Sequence, residues 1–166
     1  MAPPVNMHAS AVLVGDRGVL VMGASGSGKT RLALALLREA TVHGRLGRLV
    51  ADDQVLLSAA HGRLVASAPQ AIAGLCEIRG FGVAAIAYEP ACVVDLLVRL
   101  APAAQAPRMA AGRRETLAGC AVPVLELAER DASGAVLAVT ALLFGADANG
   151  STSGSMSLSE KPATPR

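Results

Sequence analysis

The sequence predicts an α/β domain with a mixed β-sheet. Three observations carry that prediction: short aliphatic runs separated by Gly- and Asp-rich turn signals, one Leu/Ala-rich segment long enough for a helix, and a glycine-rich turn joining a strand to that segment. With 52% hydrophobic and 17% charged residues over 166 positions, the chain can bury a real core and is most simply one domain. Disorder along its whole length is excluded.

Residues 1–7, with Pro3 and Pro4, read as an irregular lead-in to a domain over 8–144. Ala11-Val12-Leu13-Val14 and Val19-Leu20-Val21-Met22 flank Gly15-Asp16-Arg17-Gly18 as a hairpin. Pairing Val14 with Val19 puts His8 opposite Ser25. The segment 30–40 carries Leu32, Leu34, Leu36 and Leu37 among alanines and predicts a helix buried on most sides. A loop over 41–48 leads to Leu49-Val50-Ala51, a short strand ending at Asp52-Asp53, and Val55-Leu56-Leu57 and Leu64-Val65-Ala66 flank His61-Gly62 as a second hairpin. Residues 83–86 suit a strand, whereas 92–100 suit a strand or a helix, because periodicity does not separate the two there. Residues 102–112 read as a loop, and 122–127 with 135–144 as a closing antiparallel pair around Asp131-Ala132-Ser133-Gly134. The Ser/Gly/Pro-rich tail 145–166 buries too little apolar area to offset its ordering entropy and is expected to be flexible.

The composition narrows the function. A formal net charge of +2 falls far short of a nucleic-acid footprint, and Phe81, Tyr88 and Phe144 are too few for a base-stacking platform. Cys76, Cys92 and Cys120 are odd in number and widely spaced, and are expected as buried, reduced thiols of a cytoplasmic protein. Residues 1–15 lack the features of a signal peptide, and the uncharged stretch 132–146 is shorter than the roughly 20 residues a membrane span needs. No membrane association is expected. Thirteen of the 15 basic residues are arginines; of the two lysines, Lys161 lies in the tail, which leaves Lys29 alone in the folded part.

Gly23-Ala24-Ser25-Gly26-Ser27-Gly28-Lys29-Thr30 matches the pattern GxxxxGK(S/T) and lies after an apolar strand and before a helix, as that motif requires. Its glycines let successive main-chain N–H groups point inward at a polyphosphate, and the following helix presents its positive end to the same anion. Lys29 would reach the β/γ-phosphates and Thr30 would hold Mg²⁺ through its hydroxyl. Glycine is about one residue in ten here and lysine about one in eighty, so a chance match is of order a few in a thousand.

Phosphate-binding turns of this kind pair with an acid at the end of a neighbouring strand, and Asp52-Asp53 fits. Adjacent carboxylates on an extended backbone face opposite ways, so at most one aims at the phosphates; a solvated Asp-Asp turn fits the spacing as well. His8, placed over the turn by the hairpin pairing, is suited to pair with a phosphate or orient a carboxylate, although a histidine with no such task fits equally. His43 and His61 lie in loops without a nameable partner. Glu77-Ile78-Arg79-Gly80-Phe81-Gly82 puts a carboxylate and a guanidinium on one face of an extended segment, suited to a metal and a phosphate, or to a surface ion pair.

Taken in order, His8, the turn Gly23 to Thr30, Leu49-Val50-Ala51-Asp52-Asp53-Gln54-Val55 and Leu75-Cys76-Glu77-Ile78-Arg79-Gly80-Phe81-Gly82 resemble the catalytic C-terminal domain of bacterial HPr kinase/phosphorylase. The resemblance runs over 8–144, the last segment being similar to the family's signature motif. It implies a single P-loop kinase domain related to the PEP carboxykinase-type P-loop fold. It implies an ATP- and Mg²⁺-dependent serine kinase acting on an HPr-type phosphocarrier protein, and with it regulation of the sugar phosphotransferase system and of carbon and nitrogen metabolism. Carried over by residue, Lys29 and Thr30 bind nucleotide phosphate and Mg²⁺, Glu77 serves as a further metal ligand, Asp53 takes the proton from the substrate serine, and His8 and Arg79 position phosphate, while Asp52, as the other acid at the strand end, is assigned to the metal. Arg108 stands for the family's later catalytic arginine, in an Ala-Pro-Arg-Met setting where the family has Asp-Arg-x-Gly.

The chain also departs from that family. Members commonly carry a further N-terminal domain, whereas few residues precede His8, so a short form is expected. The segment 41–47 is longer than usual. Ala128-Glu129-Arg130-Asp131-Ala132-Ser133-Gly134 stands where the family tends to have a Pro/Gly/Arg stretch linked to dephosphorylation, which sets the phosphorylase half apart from the kinase half. The C-terminal helices of the family's hexamer have no counterpart, so a homo-oligomer is admitted but a hexamer is not assumed. Two other functions suit the residues: a P-loop kinase of a small metabolite, and a nucleotide-sensing module that transfers nothing. The second has no need of Asp53 and Glu77 together beside Lys29.

Overall fold

The computed structural model describes residues 3–145. Its first strand, β1 (Val5–Val14), turns at Gly15-Asp16 into β2 (Arg17–Gly23), and the glycine-rich turn then leads into α1 (Lys29–Val42). Next come β3 (Gly47–Ala51), β4 (Gln54–Ala60), β5 (Arg63–Ser67), a single 3-10 turn (Gln70–Ile72), and the short pair β6 (Leu75–Ile78) and β7 (Gly82–Ala85). β8 (Ala91–Ala101), β9 (Arg114–Leu117), β10 (Cys120–Ala128) and α2 (Ala132–Phe144) complete the described residues.

The main sheet has eight strands and closes on itself. β1 is long enough to serve two partners on one side, giving Val5–His8 to β4 and Ala11–Val14 to β3, while β2 pairs with its other edge. β8 does the same: its start is antiparallel to β5 and its remainder runs parallel to both β2 and β10. The pairings β2–β1–β4–β5–β8–β2 therefore form a ring, with β10 and β9 as an extension. Strict alternation along β1 and β2 divides the core accordingly. Val12, Val14, Val19 and Val21 face α1 and α2, where they meet Leu32, Leu36, Leu96, Val98 and Val139. Ala9, Ala11, Leu20 and Met22 face the inside of the ring, with Val55, Leu57, Leu64 and Leu97. No helix among the described residues is long and apolar enough to cross a membrane.

Several expectations are corrected. Residues 135–144 are helix, not the partner strand of 122–127, because Asp131 caps them: its carboxylate accepts the Gly134 N–H at 2.9 Å, and Ala135, Val136 and Val139 then lie on one buried stripe. β10 is instead parallel to β8, and its antiparallel partner is β9, which the sequence reading leaves inside no element. The lead-in is not irregular up to residue 7, since β1 begins at Val5 and uses those residues to pair with β4. The first hairpin pairs Val14 with Arg17, not Val19, because Gly15 at φ 62° permits a tight two-residue turn. The displacement is two residues, so every side chain keeps its face. Residues 92–100 are strand. Beyond Gly145, the tail expected to be flexible lies outside the described residues.

Candidate active site

One cleft of about 920 Å³ opens where the glycine-rich turn, the middle of β1, the end of β3 and the β6–β7 hairpin meet. The turn is shaped by Gly26 and Gly28, at φ 75° and 98°, in the left-handed region that suits glycine. Gly28 is the residue before α1 and offers no side-chain cap, so the first N–H groups of the helix remain available to an anion. Lys29 is only 7% exposed, and its ammonium donates to the carbonyls of Gly23 and Ala24, each at 3.0 Å. Ser27 is buried in the turn with its hydroxyl oxygen unpartnered. Ser25, Gly26, Gly28, Lys29 and Thr30 line the cleft.

The two aspartates part ways, as adjacent carboxylates should. Asp52 is buried and faces α1: its Oδ1 accepts from Thr30 Oγ1 at 2.8 Å and from Ser10 Oγ at 2.7 Å. Its Oδ2 accepts from Cys76 Sγ at 3.4 Å. Burial, followed by the Asp52 carboxylate beside it, pushes the Cys76 thiol up to about 12, so it remains a protonated donor. Asp53 has φ 69°, unusual for a residue with a Cβ, and this turns its side chain to the open cleft, where it is 67% exposed. His8 Nδ1 lies 3.0 Å from both the carboxylate and the carbonyl oxygen of Asp53. Two acceptors on one ring nitrogen require Nδ1 to carry the proton.

The β6–β7 hairpin forms a separate two-stranded sheet and brings Glu77 and Arg79 to the cleft together, but Glu77 comes from β6 and Arg79 from the turn that follows it, with Ile78 between them also lining the cleft, so the alternation of an extended segment is not what joins them. Asp52, Glu77 and the Thr30 hydroxyl are hard oxygen ligands of the kind Mg²⁺ takes along with phosphate and water. They fit that ion, although no group of three or more His, Cys, Asp or Glu side chains gathers as a cage among the described residues.

Arg108 is not brought to this cleft; it lies exposed in the connection between β8 and β9. The cleft is lined instead by Arg130 and Arg31, which the sequence reading does not single out. Arg130 sits at φ 62° between β10 and α2; its main-chain N–H donates to Ser27 O at 3.0 Å and its Nε to Gly26 O at 3.4 Å. Nothing in the local sequence signals that approach, because it depends on α2 being a helix. Ser10 is missed as well, yet it was accessible: two residues from His8 on the same strand, it must share that residue's face.

Comparison with known proteins places this geometry. A solved Hpr(Ser) kinase/phosphatase from Coxiella burnetii superposes with a TM-score of 0.71 over 84% of this chain and 93% of that one, at 24% identity, which shows a shared fold. The HPr kinase/phosphorylase of Clostridium tetani is 39% identical over 83 residues, half of this chain and 25% of that protein. That of Limosilactobacillus reuteri is 36% identical over 135 residues, 74% of this chain and 40% of its own length. The chain thus spans between a quarter and two fifths of these curated relatives. The family described as HPr Serine kinase C-terminal domain matches residues 1–90, which hold His8, the glycine-rich turn, both aspartates and the Glu77–Arg79 hairpin. Since that match takes in more than half of the 166 residues, the chain belongs to the HPr serine kinase C-terminal domain family.

Proposed function

We propose that the chain is an ATP- and Mg²⁺-dependent protein serine kinase whose substrate is an HPr-type phosphocarrier protein. The observation that carries this reading is the joint placement of Lys29 in the glycine-rich turn and the His8–Asp53 pair in one open cleft. A phosphate site alone serves many functions; a histidine-oriented, exposed carboxylate beside it serves proton removal from an incoming hydroxyl. The turn is read as a P-loop, and through it the domain as kin to the PEP carboxykinase-type fold. The free thiols suit a cytoplasmic location.

A serine hydroxyl is a weak nucleophile, so transfer depends on alignment, removal of its proton and neutralisation of the phosphoryl oxygens. The Asp53 carboxylate, one oxygen held by His8 Nδ1–H, receives the proton on its other oxygen. Lys29 exchanges its two turn carbonyls for the β- and γ-phosphates, and the α1 amides complete the cradle. Arg79, Arg130 and Arg31 add positive charge along the cleft. Thr30, Asp52 and Glu77 would hold Mg²⁺, which supplies charge neutralisation of the phosphates when bound. The reverse attack of phosphate on phosphoserine would use Asp53 as the acid.

Mass spectrometry of HPr incubated with the protein, ATP and Mg²⁺ tests substrate and reaction together. A single added phosphoryl group on serine is expected, reduced at least about 100-fold by Lys29→Ala. Undiminished phosphorylation by that variant overturns the reading.

A further inference from the structure

The β6–β7 hairpin pairs with no strand of the main sheet. Main-chain bonds tie it to the body through Ala87 and Glu89, which pair with Leu49 of β3, at the end away from its Gly80 turn. It nevertheless delivers Glu77 and Arg79 to the cleft, so something must fix its depth there. Among its side chains, Cys76 makes the one polar contact to the cleft's opposite wall: its Sγ lies 3.4 Å from Asp52 Oδ2 and the residue is 2% exposed. Asp52 Oδ1 is already taken by Ser10 of β1 and Thr30 of α1. The carboxylate therefore joins three elements, and among the described residues the thiol is the donor that holds its second oxygen.

We propose that Cys76 is a positioning residue that sets two cleft walls in register: through Asp52 it fixes a carboxylate facing Thr30, and through its own strand it fixes the neighbouring Glu77. No covalent chemistry of the sulfur is involved. The sulfur touches neither substrate nor phosphate. Its effect is to keep the oxygen donors of two separate sheets spaced for one cation. This rests on the kinase reading above, since it is the divalent ion that needs both carboxylates.

The test compares Cys76→Val, similar in volume and without a donor, Cys76→Ala, and Cys76→Ser, which restores a donor on a shorter bond. Binding of the fluorescent nucleotide mant-ATP is followed as Mg²⁺ is titrated, alongside amide hydrogen exchange of residues 75–85 without nucleotide. The Mg²⁺ concentration for half-maximal binding should rise roughly fivefold in the Val and Ala variants, the size of one lost weak hydrogen bond, and return to within about twofold in the Ser variant. Affinity for mant-ATP without Mg²⁺ should not move. Hairpin exchange should quicken by a similar factor in the Val variant while β1 and β8 stay protected. An unchanged Mg²⁺ midpoint in Cys76→Val, with Mg²⁺-dependent binding intact in the parent protein, overturns the role of Cys76 alone. Absence of that binding in the parent removes the kinase reading and this inference with it.

Discussion

Asp52 and Asp53 adjoin in sequence and differ in everything else, and each predicts its own outcome. Asp52 is buried with three side-chain donors aimed at it, so Asp52→Asn would turn an amide N–H₂ toward a hydroxyl or a thiol. A loss of about 1–3 kcal/mol is expected in denaturant unfolding. Asp53→Asn should stay within about 0.5 kcal/mol of the parent, because the side chain is exposed and asparagine tolerates its left-handed backbone. Phosphotransfer, in contrast, should drop by a factor of about 10² or more on loss of the proton acceptor, read as turnover at saturating ATP. Cys92 gives a prediction of another kind. Burial, aided by the nearby Asp95 carboxylate, pushes its thiol up to about 12 from an ordinary 9.0. The unfolded chain releases that proton first, so stability is complete below pH 9 and declines as pH rises toward 12, by at most about 1.4 kcal/mol per pH unit. Melting temperatures between pH 8 and 10.5 should show a shallower alkaline decline in Cys92→Val.

At the level of elements, the contest between strand and helix over 132–144 was decided by one cap. The segment is apolar apart from Ser133, Gly134 and Thr140, so neither period stands out, and valines with a Phe suit a strand. Asp131 accepting the Gly134 N–H starts the helix, and α1 supplies the surface that it covers. Asp131→Ala should cost about 1 kcal/mol, seen as a lower urea midpoint at constant m-value. The same element shows why Arg130 carries no local signal: only once α2 starts at Ala132 does the residue two before it come to rest on the glycine-rich turn, whereas Arg108 rests on the family resemblance alone. By contrast, the glycine-rich turn, α1, the Asp-Asp strand end and the second hairpin were legible from sequence because each carries its own local signal. The hairpin pattern puts His8 on the side of the turn even with a pairing two residues off, since a displacement by two leaves the face unchanged.

For the whole molecule, pairings between distant strands lay beyond local reading. β2 beside β8, β8 beside β10 and the division of β1 between β3 and β4 are settled by burying two cores at once, one under the helices and one inside the ring. Leu97, fully buried on the inside, reports on that inner core. Leu97→Ala is expected to cost about 2–5 kcal/mol, and fluorescence-independent probes such as circular dichroism and calorimetry should report one coincident transition if both cores unfold together. The ring carries a mechanical consequence. Strands bonded edge to edge around a circuit resist splaying, so the half of the cleft built on β1, β2 and β3 behaves as an anvil. The small β6–β7 hairpin stands outside that circuit and carries its acid and its guanidinium to the cleft together, so a shift of the hairpin would displace both groups as a pair.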